Sequence, residues 1–458
     1  MALEQLKQEF EHLLQTGDNL EIRQFLDDQN ISDIAELVYE YPEQESKIIA
    51  GMAVHRAVSV FKILDFPTQK RIIQTLPPGK TAELLNELPA DDRTSFLEEL
   101  PGSAVRELIK LMDPNERKIT LSLLGYPENS VGRLMNPDYV YVYEYNTVAE
   151  VLDTIRRVGK NTETIDVIYV INNKGELLDD IRIREFILAS PDKRVSELMD
   201  ERTIALNAFD DQEVANEAFK MNNRVALPVV SNSNKLLGIV TIDDVLWVAS
   251  EEFTEDIQKI GGTEALEQPY LEMPLITLFK KRVIWLIVLF IGELMTISAM
   301  HQFEDEIAKV VVLATFIPLI ISSGGNSGSQ AATLIIQAMA LREISIADWW
   351  RIMRREILSG LLLGTTLCIL GVSVIFIWQS MSENFGIYYV NIAITIGISL
   401  IGVVLWGTLV GSMLPLLLKS VGADPATSST PFVATLVDVT GLIIYFSVAF
   451  LTLSGKLL

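Results

Sequence analysis

The sequence predicts a multidomain membrane protein: an all-α N domain of short helices in a superhelical array, an α/β pair of repeated units, a connecting helix and a five-helix transmembrane domain. Three observations predict it. Leucine-proline steps recur every twelve residues between about 60 and 125, an imperfect repeat of about 60 residues fills about 130–250, and five long apolar stretches follow residue 276. The expected boundaries are 1–128 for the N domain, 129–197 and 198–247 for the two repeated units, 248–275 for the connecting helix and 276–458 for the membrane domain.

The N-terminal stretch MALEQLKQEFEHLLQTGDNL has no basic region leading into an apolar core, and Leu3, Leu6, Phe10 and Leu13 follow helical spacing. It therefore reads as an amphipathic helix rather than a secretory signal. The steps Leu76-Pro77, Leu88-Pro89 and Leu100-Pro101, with Leu64 and Met112 in register, then mark short helices. Proline suits a first helical turn and breaks an interior, so each step starts a new helix and the helices stack like a solenoid. The acids Glu83, Asp91, Asp92, Glu98 and Glu99 on these helices read chiefly as a solubilising face.

The next region changes period. Leu134-Met135-Asn136-Pro137 and Leu198-Met199-Asp200 each open a strand, helix, strand, strand, helix unit, and DVIYVINNKGELLDDI and VALPVVSNSNKLLGIVTI supply the strand pairs. This order resembles a tandem pair of CBS domains, a family in which a threonine and an aspartate placed like those of Gly238-Ile239-Val240-Thr241-Ile242-Asp243-Asp244 often bind a nucleotide ribose. The first unit reads Asp179-Asp180-Ile181-Arg182-Ile183-Arg184, without the glycine or the hydroxyl, which argues against nucleotide binding. VLWVASEEFTEDIQKIGG follows as a helix carrying Glu251, Glu252, Glu255 and Asp256 within two turns.

Five spans are expected at about 281–302, 308–340, 355–379, 387–418 and 430–454, most of them longer than the roughly 20 residues that a bilayer needs. Lys280, Lys281 and Arg282, then Arg342, Arg351, Arg354 and Arg355, then Lys419 fall on one side with the N-terminal half. Glu304-Asp305-Glu306 and Glu383 fall on the other. The positive-inside rule then leaves the N-terminal half in the cytoplasm and the C-terminus opposite.

Charge and ligand chemistry narrow the function. The chain carries net −23, and the residues before 271 hold 49 acids against 27 bases. Such an excess disfavours nucleic acid and anionic lipid and suits multivalent cations. Cys368 is alone in an apolar run and His301 is the only histidine of the membrane half, so zinc and copper lack their ligands. Oxygen-only donors favour a hard cation such as magnesium, which keeps much of its water, and leave calcium, manganese and cobalt open.

One carboxylate, Asp438, stands near the middle of the fifth span, FVATLVDVTGLIIYFSVAF. A carboxylate in hydrocarbon survives where it faces a partner, a watery cavity or a cation, so Asp438 points to ion transport. The second span adds Pro318 and the polar, Gly-rich run Ile321-Ser322-Ser323-Gly324-Gly325-Asn326-Ser327-Gly328-Ser329-Gln330, backbone tolerated at membrane depth only under protein or water. The fifth span adds Thr430-Pro431, Thr435, Thr440 and Gly441. Glu293, a second acid within a span, reads equally as a contact to the pore or permeating ion and as a hydrogen bond to another helix, and is left outside the pore set. No Lys or Arg lies at midmembrane to suit an anion path, and no phosphate loop, HExxH or GxSxG suits an enzyme.

IPLIISSGGNSGSQAATLIIQA and PFVATLVDVTGLIIY, set after an acidic short-helix domain, paired CBS-like units and an acidic helix, resemble the MgtE family of bacterial magnesium channels over essentially the whole chain. The resemblance implies a homodimer in the bacterial inner membrane whose pore lies between subunits, with Asp438 of each chain facing hydrated Mg2+. It places the Ala434 carbonyl, Asn326 and Thr333 on or near the pore, with Ser329 and Thr430 where members can carry asparagine. It implies closure by intracellular Mg2+ bound among the soluble domains, with Glu83, Asp211, Glu213, Asp244, Glu252 and Glu255 at or near such acidic positions. Asn115, Ile119, Asn223 and Trp247 stand at other such positions that are acidic in members of the family, which predicts a sensor that holds fewer ions, responds at another concentration or barely gates. Arg224 stands where an aromatic partner for adenine would be useful, a further argument against ATP binding. The alternative reading is an alternating-access transporter of Mg2+, Co2+ or Mn2+ with a weak or absent sensor.

Overall fold

The computed structural model describes residues 3–16, 19–200, 202–266, 270–271, 273–304, 310–382 and 385–454. Of the acids invoked for the topology, Asp305, Glu306 and Glu383 lie outside the described residues, as does Glu272 at the end of the connecting region. The chain divides into two compact units, Met1–Glu252 and Phe253–Leu458.

The first unit begins with helices α1 (Leu3–Thr16), α2 (Asn19–Asp28), α3 (Ile31–Glu40), α4 (Glu45–Gly51) and α5 (Val54–Phe61). The period of twelve then appears as α6 (Phe66–Thr75), α7 (Pro78–Glu87), α8 (Ala90–Glu98), α9 (Gly102–Leu111) and α10 (Pro114–Leu123). Pro67, Pro78 and Pro114 occupy first turns, where the missing N–H would have had no helical acceptor. Leu64, Leu76, Leu88, Leu100 and Met112, which precede these turns, are all buried in one core. Helices pack on the next but one, α3 on α5, α5 on α7 and α7 on α9, and this winds the array.

The acids of these helices do not form one solvated face. Glu83 is exposed and pairs with Lys80 at 2.6 Å, but Asp91 is only 5% exposed and accepts from Asn136 Nδ2 at 3.1 Å. Asp91 sits at the start of α8, where the array packs on the α/β region, so burial there follows from tertiary contact rather than from helical phase. Arg93, fully buried, donates to Leu85 and Leu88 carbonyls at 3.0 Å each, to Thr120 Oγ1 at 2.8 Å and to Glu116 Oε2 at 2.7 Å. It thereby ties α7, α8 and α10 together.

A short helix, α11 (Val131–Leu134), leads into two like units. In the first, β1 (Tyr141–Tyr143) runs parallel to β2 (Val167–Ile171), which is antiparallel to β3 (Leu177–Arg182), with α12 (Val148–Val158) and α13 (Ile183–Leu188). In the second, β4 (Leu206–Asn207), β5 (Ala226–Val230) and β6 (Leu236–Thr241) repeat the order with α14 (Gln212–Asn222) and α15 (Ile242–Ile260). Both central strands are fully buried and both ladders shift register at the same place, after Val170 and after Val229. Val167, Tyr169 and Ile171 of one sheet share a core with Val230, Leu236 and Ile239 of the other.

The second unit holds α16 (Leu275–Gln302), α17 (Val311–Ala340), α18 (Trp349–Ser382), α19 (Tyr389–Ser420) and α20 (Thr430–Leu453). Each is long and apolar enough to cross a membrane. Glycines set their spacing. Gly324 and Gly328 of α17 meet Gly407 and Gly411 of α19, so a methyl on Gly411 would collide with the Gly328 carbonyl and one on Gly407 with that of Gly324. Small residues at i and i+4 on both helices let the backbones touch where lipid offers no hydrophobic drive for association. Pro318 removes the donor to the Ala314 carbonyl, and beside it the buried Tyr445 hydroxyl donates to the Leu313 carbonyl at 2.9 Å.

A candidate ion pathway

Helix α17 has two faces at membrane depth. Gly324, Gly325, Ser327, Gly328, Ala331 and Ala332 are buried against its neighbours, whereas Ser322, Asn326, Gln330 and Thr333 are exposed and Ser329 is half-buried. These positions recur at steps of three and four, so they make one polar stripe along the helix. Ser329 Oγ donates to the Thr430 carbonyl at 3.1 Å, Thr333 Oγ1 to the Ser329 carbonyl at 3.0 Å, and Asn326 Nδ2 to Ser322 Oγ at 3.3 Å. The stripe borders an open groove lined by Ser329, Gln330, Thr333, Leu334, Thr430, Pro431 and Ala434.

Asp438 lies one turn beyond Ala434 on α20 and is half-buried. It faces Gly325 of α17: a methyl there would stand in ordinary contact, 3.4 Å from Asp438 Oδ1 and 3.5 Å from Ala434 Cβ. The structure thus brings Asp438, Ala434, Ser329 and Thr430 onto the α17–α20 contact, with Asn326 and Thr333 on the exposed stripe beside it. The same region receives the end of α15. Thr430 Oγ1 donates to the Ile260 carbonyl at 3.2 Å, Lys259 pairs with Asp424 at 2.8 Å, and a methyl on Gly262, at φ +75°, would stand 3.3 Å from Pro431 Cγ. Glu255 is the other partner of Lys259. The two carboxylates outweigh burial and hold the Lys259 ammonium above the usual lysine range.

In the first unit, Asp211 caps α14 by accepting from Glu213 N at 2.9 Å, and Gln212 Nε2 donates to Glu252 Oε1 at 2.8 Å. Asp244 accepts from Thr241 Oγ1 at 2.6 Å. Burial, then the neighbouring Asp243 and Asp92, push the Asp244 carboxyl up to about 7 against that hydrogen bond. It borders a cleft of about 330 Å³ together with Asp91, Asp92, Glu251 and Trp247. Glu83 stands apart from it, beside Lys80. Among the described residues, no three His, Cys, Asp or Glu side chains come close enough to grip one bare metal ion.

Sequence reasoning missed the groups around Lys62. Its ammonium lies 3.1 Å from Asp92 Oδ2 and 4.0 Å from Asp243 Oδ2, and Asn136 joins Asp91 to Glu163, accepted at 2.9 Å. Burial works against the Lys62 charge, but Asp92, Glu163 and Asp243 outweigh it and raise its pKa. Burial raises Asp91 and Glu163 as well. The only signal was the Asp-Asp pair at a helix start, which is also what an ordinary first turn looks like. Arg224, at the position considered for adenine stacking, instead pairs with Asp180 at 2.9 Å, and burial outweighs that pairing to push Asp180 up to about 6.

Five apolar helices with a polar stripe and an intramembrane carboxylate, preceded by an acidic helical array and two α/β repeats, define a polytopic membrane protein of the cation-transporting class. The chain belongs to the MgtE family. Residues 317–448 match the profile of the MgtE divalent cation transporter, 29–129 that of the MgtE intracellular N domain, and 131–192 and 195–251 that of the CBS domain. The chain is 37% identical to the magnesium transporter MgtE of Thermus thermophilus over 479 residues, covering 99% of each, and 28% identical to that of Bacillus subtilis over 446 residues, covering 95% of each. Among solved structures, it resembles the cytosolic domain of the Mg2+ channel MgtE in complex with ATP, with 34% identity, TM-score 0.50, and coverage of 52% of this chain and 98% of that one. The soluble part of a magnesium transporter shares the fold at 22% identity and TM-score 0.52, over 55% of this chain and 99% of the other.

Proposed function

We propose that this chain is a magnesium-selective channel of the bacterial inner membrane, a homodimer with the ion path between its subunits and the acidic half in the cytoplasm. The observation that carries this is the polar stripe of α17 beside Asp438. Exposed amide and hydroxyl groups at hydrocarbon depth need water or protein over them, and a second copy set stripe to stripe supplies both. In this reading Asp438 faces the hydrated ion, while the Ala434 carbonyl, Asn326, Ser329, Thr333 and Thr430 offer oxygens to its water shell. Magnesium gives up water reluctantly, so such outer contacts suffice to select it.

Glu83, Asp211, Glu213, Asp244, Glu252 and Glu255 form the regulatory set, acting on hydrated ions rather than as a closed cage. The end of α15 bonds to Asp424 and Thr430 at the start of α20, and in this reading α15 is the route for feedback closure. The mutual bond of Thr241 and Asp244 and the Arg224–Asp180 pair support a sensor that works without adenine nucleotide. The test is Mg2+ uptake into proteoliposomes, with single-channel recording to tell a channel from alternating access. Asp438→Asn should abolish uptake while the wild type slows as Mg2+ rises on the soluble side. Undiminished selective uptake by the variant would overturn the role of Asp438.

A further inference from the structure

Glu293 is an acid that neither the fold nor the pathway described above uses. It lies inside the apolar window of α16 and is exposed in the single chain. Among the described residues it makes no hydrogen bond and no ion pair. Such a carboxylate costs on the order of 3 kcal/mol in hydrocarbon, so something other than lipid must compensate it.

Its position shows what. Helix α16 makes its extensive contacts with α20. At Gly292 the two backbones come so close that a methyl there would fall 2.6 Å from Thr435 Cγ2. Thr435 and Asp438 share a face of α20, one turn apart, so this contact sets Glu293, the neighbour of Gly292, beside the face of α20 that carries Asp438. A turn along α16 from Gly292 stands Thr296, the one buried residue of that helix at 5% exposure. Its hydroxyl has no partner. Elsewhere in the membrane helices the hydroxyls of Thr333, Thr365 and Thr366 donate to the carbonyl four residues back. Thr296, three residues after Glu293 and four after Gly292 and so on the same side of α16, leaves that bond unmade among the described residues.

We propose that Glu293 and Asp438 of one chain together form a divalent-cation station, with Thr296 as a further oxygen donor and the ion's own water completing its shell. This rests on the reading of Asp438 as part of the ion path. Two carboxylates supply the charge that neutralises a divalent ion, whereas a monovalent ion leaves the pair at net −1, so the station discriminates by charge as well as by affinity. Without a cation the two acids repel each other across a medium that screens them poorly. Glu293 thereby becomes a determinant of affinity and selectivity, supplied by α16 rather than by the glycine-rich helices.

The test uses the full chain in proteoliposomes with Mg2+ as the probe, alongside Mn2+ binding to the purified protein followed by its paramagnetic resonance. Glu293→Gln should raise the half-saturating Mg2+ concentration roughly tenfold, weaken Mn2+ binding in parallel and admit more Na+, as expected for the loss of one nearby charge. Glu293→Asp, which keeps the charge, should restore most of the affinity and serves as the folding control. Thr296→Val should shift half-saturation in the same direction by less. Wild-type affinity and selectivity in Glu293→Gln would overturn the proposal and leave an inactive Asp438→Asn to stand by itself. Unchanged flux in Asp438→Asn would instead overturn the reading beneath it. If Glu293→Gln keeps its Mg2+ affinity and loses only a pH dependence of flux, the pair shares a proton, and the cation station is likewise refuted.

Discussion

Single residues decide more here than their types announce. Arg93 stands beside Asp91 and Asp92 in α8, yet it is fully buried and directs its donors to two carbonyls, a threonine and Glu116. Removing the guanidinium strips the Leu85 and Leu88 carbonyls of a donor and leaves the half-buried Glu116 without its cation, which costs about 2–3 kcal/mol. Arg93→Met should therefore lower the urea midpoint of the soluble half by a corresponding amount, and Glu116→Gln in the same background should change little more. A variant within 1 kcal/mol of wild type, a rough bound for a surface substitution, would show that the guanidinium is dispensable. Burial of this kind is set by neighbours 20 to 30 residues away, such as Thr120, and no local pattern encodes it. Asp438 was legible for the opposite reason: an isolated acid in an apolar run stands out against its surroundings whatever it touches. Glu293 stands out equally, but its use depends on how α16 meets α20, which the sequence does not state.

At the scale of elements, legibility follows periodicity. The twelve-residue proline rhythm set five successive helix starts in register, because proline fixes where a helix begins by steric exclusion alone. The two α/β repeats were likewise readable from order and length; the bulge that recurs at the same rung in both sheets was not, and only the structure shows it. What could not be read was partnership: GxxxG spacing predicts a close helix crossing, not which helix crosses. The structure pairs Gly324 and Gly328 with Gly407 and Gly411. The crossing leaves no room for a methyl group, so Gly411→Ala forces α17 and α19 apart and should destabilise the membrane unit by about 1–3 kcal/mol. Gly102→Ala, at an open helix start with nothing within 4 Å, should leave stability unchanged. Thermal unfolding of the detergent-solubilised protein compares them, and equal melting of the two variants would deny the glycine crossing its structural role.

At the scale of the whole molecule, charge is the governing variable, since nearly all of the net −23 precedes the membrane region. Folding moves several of those acids out of water. Burial raises Asp91, Asp92, Glu98, Asp138 and Glu163 above the ordinary carboxylate range, Asp180 up to about 6 and Asp244 up to about 7. The sign of the linkage follows directly. Between the ordinary carboxylate range and these raised values the folded state holds protons that the unfolded chain has released, so its stability is greatest at the acid end and is lost as pH rises through about 6–7. The raised lysines do not offset this, because Lys62 titrates above the window in both states. The soluble half, residues 1–260, in a chelating buffer should accordingly melt at a higher temperature at pH 5 than at pH 7.5, the reverse of a protein held by exposed carboxylate pairs. Magnesium added at pH 7.5 should recover part of the difference by binding the folded state, and sodium at equal ionic strength should recover less, because the cleft at Asp91, Asp92 and Asp244 concentrates field for a multivalent ion. Melting that rises with pH, or equal rescue by the two salts, would mean that these acids are solvated after all and that the cleft does not sense divalent ions.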